Sequence, residues 1–153
     1  MSHVVQIRTV LKDIEAVKLV CAELGLTFRE NQNTYAWWGT SVGDYPLPTG
    51  FAAKDLGHCE HAIGVPGTPW EIGVVRCRNK DGSLAEGYTL LFDFYGDRGA
   101  PIAKALGGTD AKLFVQRYGA CKATLEARRK GYLVQRTTQQ NGTIRLTISG
   151  RSL

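Results

Sequence analysis

Two segments of this chain are apolar on both faces of an extended strand, and no other feature restricts its fold so much. Residues 70–78 (WEIGVVRCR) and 88–95 (YTLLFDFY) flank a turn at Asn79-Lys80-Asp81-Gly82, so they predict two antiparallel strands joined in sequence. Successive side chains of a strand point to opposite faces. A strand that is apolar throughout is therefore central in its sheet and covered, at least in part, on both sides. With 153 residues the chain is the size of one domain and can bury a core without a metal or disulfide staple.

The remaining periodic segments supply the other layers. Residues 4–10 read as a strand, with His3, Val5, Ile7 and Thr9 on one face and Val4, Gln6, Arg8 and Val10 on the other. Ile14, Val17, Cys21 and Leu24 then recur at helical spacing, with Asp13 placed as N-cap and Gly25 as left-handed stop. Residues 26–38 read as strand broken by a turn at Glu30-Asn31-Gln32-Asn33. A second long helix is expected over 109–130, burying Phe114, Tyr118, Cys121 and Leu125, with Arg128-Arg129-Lys130 at its C-terminal end and Gly131 as its stop.

Residues 39–69 carry no sustained period and hold four of the five prolines and six of the eighteen glycines. Only 51–56 suggests a short helical turn. Long irregular segments in small domains are usually functional or mobile loops.

The last hairpin contains Asn141-Gly142. A two-residue turn there would pair Gln139 with Ile144 and Thr137 with Leu146, placing Tyr132 and Val134 opposite to Ile144, Leu146 and Ile148. A one-residue shift pairs Thr138 with Ile144, Arg136 with Leu146 and Val134 with Ile148, and gathers the apolar side chains on one face. The expectation is therefore a three-residue loop, Gln140-Asn141-Gly142, with left-handed Gly142. The order becomes β-α-β-[insert]-β-β-α-β-β. The fold class is α+β, a single domain over 1–153 with a mainly antiparallel sheet and the two long helices on one face; a split βαβ, ferredoxin-like arrangement falls within that class.

The net charge of +5 is unevenly distributed. From residue 111 onward there are nine Lys or Arg and one acid, against ten basic and thirteen acidic residues before it. Such a bias fits either a nucleic-acid surface, formed by Arg117, Lys122, Arg128, Arg129, Lys130, Arg136 and Arg145, or a solvated helix and hairpin. No apolar run is long enough to span a membrane, and the first residues lack the pattern of a signal peptide. A cytoplasmic location is expected, with Cys21, Cys59, Cys77 and Cys121 as reduced thiols. No C-x-x-C pair, phosphate loop or nucleophile elbow occurs.

His58-Cys59-Glu60-His61 is the densest group of chemically active side chains. Adjacent residues of an extended chain diverge, so only His58 with Glu60, or Cys59 with His61, could converge on an ion. Cys59 beside the imidazoles also permits a thiolate nucleophile; as an apolar thiol it would instead pin the loop. Trp37 and Trp38, with Tyr35 and Tyr45, offer either stacking surfaces or loop anchors. Asp93, between Phe92 and Phe94, needs solvent or a partner such as Arg76 or Arg98, and could alternatively serve as a cleft carboxylate. No catalytic residue, metal or cofactor is assigned.

Met1-Ser2-His3 with Ile7 and Thr9, and the helix from Asp13 to Gly25, resemble the start of the hypothetical chloroplast frame thirty-five family. These are small proteins of plastids and cyanobacteria with bacterial relatives. The helix bearing Tyr118, Gly131-Tyr132-Leu133-Val134 and Thr143-Ile144-Arg145-Leu146 is similar to the family's end. His58-Cys59-Glu60-His61-Ala62-Ile63, Val65-Pro66-Gly67 and Glu71-Ile72-Gly73 are similar to a segment of its bacterial members. The 39–69 insert departs in length from the plastid form. The family is a domain of unknown function, so the resemblance implies no catalytic residues. It implies an adaptor or accessory role beside an AAA-type ATPase. The expected function is a protein-binding or adaptor module using the insert and the adjoining sheet face. The alternatives are nucleic-acid binding and a metal- or thiol-dependent site at His58, Cys59 and His61.

Overall fold

In the computed structural model, which describes residues 2–151, the chain forms α1 (Ile14–Leu24), α2 (Gly96–Leu106), α3 (Lys112–Arg129) and seven strands. Five strands make one antiparallel sheet in the order β1-β5-β4-β3-β2: β1 (Val4–Gln6), β5 (Leu84–Asp93), β4 (Glu71–Arg78), β3 (His61–Gly64) and β2 (Thr27–Arg29). The remaining pair, β6 (Tyr132–Thr138) and β7 (Ile144–Arg151), stands apart as a two-stranded ribbon. The class is α+β with a mainly antiparallel sheet. It is not the split βαβ arrangement, because α1 carries the chain from one sheet edge to the other and leaves three strands between β1 and β2.

The two apolar strands are central, as their composition requires. On one face Ile72, Val74, Leu90 and Phe92 pack with Val17, Val20 and Cys21 of α1, Ile102 and Leu106 of α2, and Phe114 and Tyr118 of α3. On the other face Val75 and Leu91 pack with Val4, Tyr35, Phe51, Leu56, Cys59 and Ala62. The second layer is thus the chain between β2 and β3, residues 30–60, hereafter the insert. It takes in the first part of the 39–69 segment together with the residues leading into it, and its aromatic and aliphatic side chains hold it down. Gly73 of β4 lets it approach closely: a Cβ there would lie 2.4 Å from the Tyr35 ring.

Two elements differ from expectation. β3 lies within the 39–69 segment, and all four of its residues are buried between β2 and β4. α2 precedes α3, contains Pro101, and turns on Gly99, where a Cβ would meet the Phe94 backbone at 2.3 Å. The segment expected as strand up to Trp38 pairs regularly only over β2, with one isolated bridge from Thr34 to His58. The single turn within 51–56 is a 3₁₀ turn, Ala53–Asp55.

Helix ends follow local chemistry. The Asp13 carboxylate accepts from the N–H groups of Glu15 and Ala16, and Gly25 closes α1 at φ 70°. The Tyr118 hydroxyl accepts from the N–H groups of Lys12 and Asp13 at 2.9 and 3.1 Å, tying α3 to the start of α1. In the ribbon, Thr138 pairs with Ile144, Arg136 with Leu146 and Val134 with Ile148. Gln139 donates to the Thr143 carbonyl, and Gly142 sits at φ 85°. The three-residue loop and its register are as the apolar pattern demands. The sequence Arg151-Ser152-Leu153 reads as a short frayed end; Ser152 and Leu153 lie outside the described residues, and the Arg151 backbone pairs with Tyr132.

Gly142→Val places a β-branched residue in the left-handed region with no steric contact around its Cβ. The cost is therefore conformational, about 1–2 kcal/mol. Hydrogen exchange should show faster opening of β6 and β7 amides and unchanged protection in β4 and β5.

Candidate functional site

The insert is fixed to the sheet by two buried carboxylates. Glu71, at the start of β4, accepts from Arg29 Nη1, from Gln32 Nε2 at 2.9–3.0 Å and from the Ala36 N–H at 3.0 Å. Its own N–H donates to the Ala36 carbonyl at 2.8 Å. Burial acts to raise its pKa, but the Gln32, Ala36 and Arg29 donors outweigh it and hold the carboxyl below its ordinary range.

Asp93, at the end of β5, is fully buried. One of its oxygens accepts from the His3 and Tyr95 N–H groups at 3.1 and 3.0 Å, and the other from the Trp38 N–H at 3.4 Å. Neither Arg76 nor Arg98 is its partner, contrary to the sequence reading. The strand ends here, and three departing segments offer unpaired backbone donors that already solvate the charge. Arg76 instead lies over the Tyr88 ring, and exposed Arg98 takes a bond from Thr68 through its carbonyl.

The His58–His61 group does not form one site. Cys59 is buried on the insert face, and its Sγ donates to the Gln32 carbonyl at 3.1 Å. Burial, reinforced by Glu60 and Glu71, pushes its thiol up to about 12, so it is protonated near neutrality. His61 turns to the other face, against the Phe28 and Tyr88 rings, with Nδ1 accepting from the Asn31 N–H at 2.9 Å. His58 is exposed, and the Glu60 carboxylate takes the Arg76 N–H. Cys59 and His61 therefore do not converge. Among the described residues no group of three or more His, Cys, Asp or Glu side chains is placed to hold a metal ion.

His58, Cys59, Glu60, Asp55, Arg76 and Arg78 line a cavity of about 170 Å³. Arg78 lies 3.1 Å from Asp55 and over the Phe51 ring, while the Arg76 guanidinium lies over Tyr88 and donates to the Ala85 carbonyl at 3.4 Å. The four cysteines are unpaired and buried. Cys121 donates to Glu23 at 2.7 Å, and burial together with that carboxylate pushes it up to about 12.

The aromatic residues of the insert divide into anchors and surface. Trp37 is half-buried against the second-face core, with its Nε1 beside Gly57. Tyr45 stacks on His3 at 4.8 Å and meets Phe94 edge-on. Trp38 is 54% exposed, with an edge contact to Trp70, and Val42 and Leu47 are 61% and 42% exposed.

The basic residues of the C-terminal part are largely internal partners. Glu23 of α1 binds Arg136 at 2.7 Å and Arg117 at 3.4 Å, Asp13 binds Arg129 at 3.0 Å, and Lys122 faces Glu126 at 3.9 Å. Arg128, Lys130 and Arg145 alone of the seven make no ion pair among the described residues. Nothing in the sequence singles out Glu71; its only signal is an acid opening an otherwise apolar strand. No family model, curated protein or solved structure matches this chain.

Glu71 has a lower pKa folded than unfolded, so its contribution is present above the unfolded value and disappears as pH falls through the folded one. Glu71→Gln should lower stability by about 1–3 kcal/mol at pH 7 and flatten the acid limb of a denaturation-versus-pH profile. Asp93→Ala strands buried N–H donors and should cost about 2–4 kcal/mol, read as a lower urea midpoint.

Proposed function

We propose that this protein is a non-enzymatic binding or adaptor module whose insert is its recognition surface. The observation that carries this reading is an irregular segment anchored by Glu71, Asp93 and a buried second-face core that still exposes Trp38, Val42 and Leu47. Large apolar side chains on a rigid support lose little conformational freedom on binding, which is how hot spots of protein interfaces are built. The protonated, buried Cys59 and its separation from His61 weigh against a thiol or metal site, and the internal pairing of Arg117, Arg129 and Arg136 weighs against a nucleic-acid surface.

The family resemblance makes an AAA-type ATPase the first partner to assay. The reading predicts saturable binding that weakens at least tenfold in Trp38→Ala or Leu47→Ala, about 1.4 kcal/mol or more, measured by titration calorimetry. Affinity should change little between 50 and 200 mM salt, about threefold or less, whereas a phosphate-binding surface would lose orders of magnitude. Absence of binding, or binding insensitive to both substitutions, would remove the proposal.

A further inference from the structure

β1 is an edge strand whose outer side pairs with no strand among the described residues. On its inner side Ile7 donates to Leu90 at 3.2 Å, His3 accepts from Phe94 at 3.1 Å, and Val5 faces Phe92. Backbone groups alternate in direction along an antiparallel strand, so the N–H and C=O groups of Val4 and Gln6 point away from the sheet. β1 pairs with β5 alone. The open stretch is short. Leu11 pairs again with Tyr88 at 2.7–2.8 Å, so residues 8–10 bulge opposite Thr89 and end the ladder.

Two grooves border this edge. One, of about 630 Å³, runs between β1 and Tyr45, Pro46, Leu47 and Pro48; the other, of about 400 Å³, lies toward Asp110, Lys112 and Val115. The insert runs beside β1 without joining it, and Pro46 and Pro48 lack the N–H needed to do so. Arg8 and Lys112 are exposed and, among the described residues, without ion pairs; Asp110 lines the same groove, where its carboxylate accepts from the Lys112 N–H at 3.2 Å, so two cations stand against one acid. The edge therefore presents backbone hydrogen bonds, a groove for each of the two alternating side-chain directions, and an excess of positive over negative charge.

We propose that the β1 edge accepts an extended acidic segment of a partner protein as an added strand. This rests on the reading of the chain as a protein-binding module and specifies its mode. Main-chain bonds to Val4 and Gln6 hold the segment, alternate side chains enter the two grooves, and Asp or Glu side chains meet Arg8 and Lys112.

A random heptapeptide display library selected on the immobilised full chain tests it. Selected peptides should be rich in Asp and Glu and should slow exchange of the Gln6 amide at least tenfold. Gln6→Pro, which removes an outward N–H that no sheet bond uses, should weaken them at least tenfold. Arg8→Glu should do the same if the proline variant fails to fold, and the charge control Lys104→Glu should leave affinity within twofold. Peptides indifferent to both edge substitutions, peptides without acidic enrichment, or an empty selection would overturn the proposal. So would a Gln6 amide whose protection rises with protein concentration alone, which would mean that a second copy occupies the edge. Peptides that depend on Trp38 but not on the edge would sink this mode while leaving the binding-module reading intact; an empty selection together with failure of the ATPase assay would remove both.

Discussion

The arrangement of the second sheet face depends on two carboxylates that the sheet buries and the insert solvates. An isolated buried carboxylate is costly; Glu71 is compensated by donors from the segment it retains, and Asp93 by the His3 and Tyr95 N–H groups together with Trp38 of that segment. Glu71 receives the Ala36 N–H and the Gln32 amide, and Asp93 receives the Trp38 N–H, two residues further along. The chain between β2 and β3 is thereby drawn across the sheet, so that Tyr35 reaches the space left open at Gly73 and Phe51, Leu56 and Cys59 close the core. Removing either charge would leave donors unsatisfied on the face that has no helix to cover it.

The helical face uses electrostatics differently. The acidic bias of the first part and the basic bias of the last part meet where α1 docks on α3 and the ribbon. Glu23 lies between Arg117 and Arg136, and its pKa falls because these partners and the Cys121 thiol together outweigh its burial. A charge asymmetry that looks like a ligand surface in one dimension is thus spent substantially on matching two parts of the same fold.

The two-sided apolar strands, the Asp13-to-Gly25 helix and the register of the final hairpin were legible because each rests on local periodicity or a local cap. β3 was not. Four residues cannot display a period, and Ala62 and Ile63 follow a polar run that reads as loop. α2 was hidden by Pro101, Gly96 and Gly99, poor helix formers that tertiary contact with Phe94 makes acceptable. The candidate site was legible in place but not in chemistry. The insert was marked by its prolines and glycines and Asp93 by its apolar neighbours, yet the sequence assigned Asp93 arginine partners in place of backbone donors and gave Glu71 no role. A carboxylate solvated by backbone N–H groups leaves no sequence pattern, because the donors carry no side-chain identity.

Residues 30–60 are thus a fixed layer of the fold and not a loop. Amide hydrogen exchange measured residue by residue tests it most directly. The N–H groups of Tyr35, Ala36 and Cys59, bonded to Gly57, Glu71 and Asn33, should exchange at rates close to those of β4 and far slower than the 140–142 turn. Exchange of these amides at the rate of that turn, with β4 still protected, would contradict it.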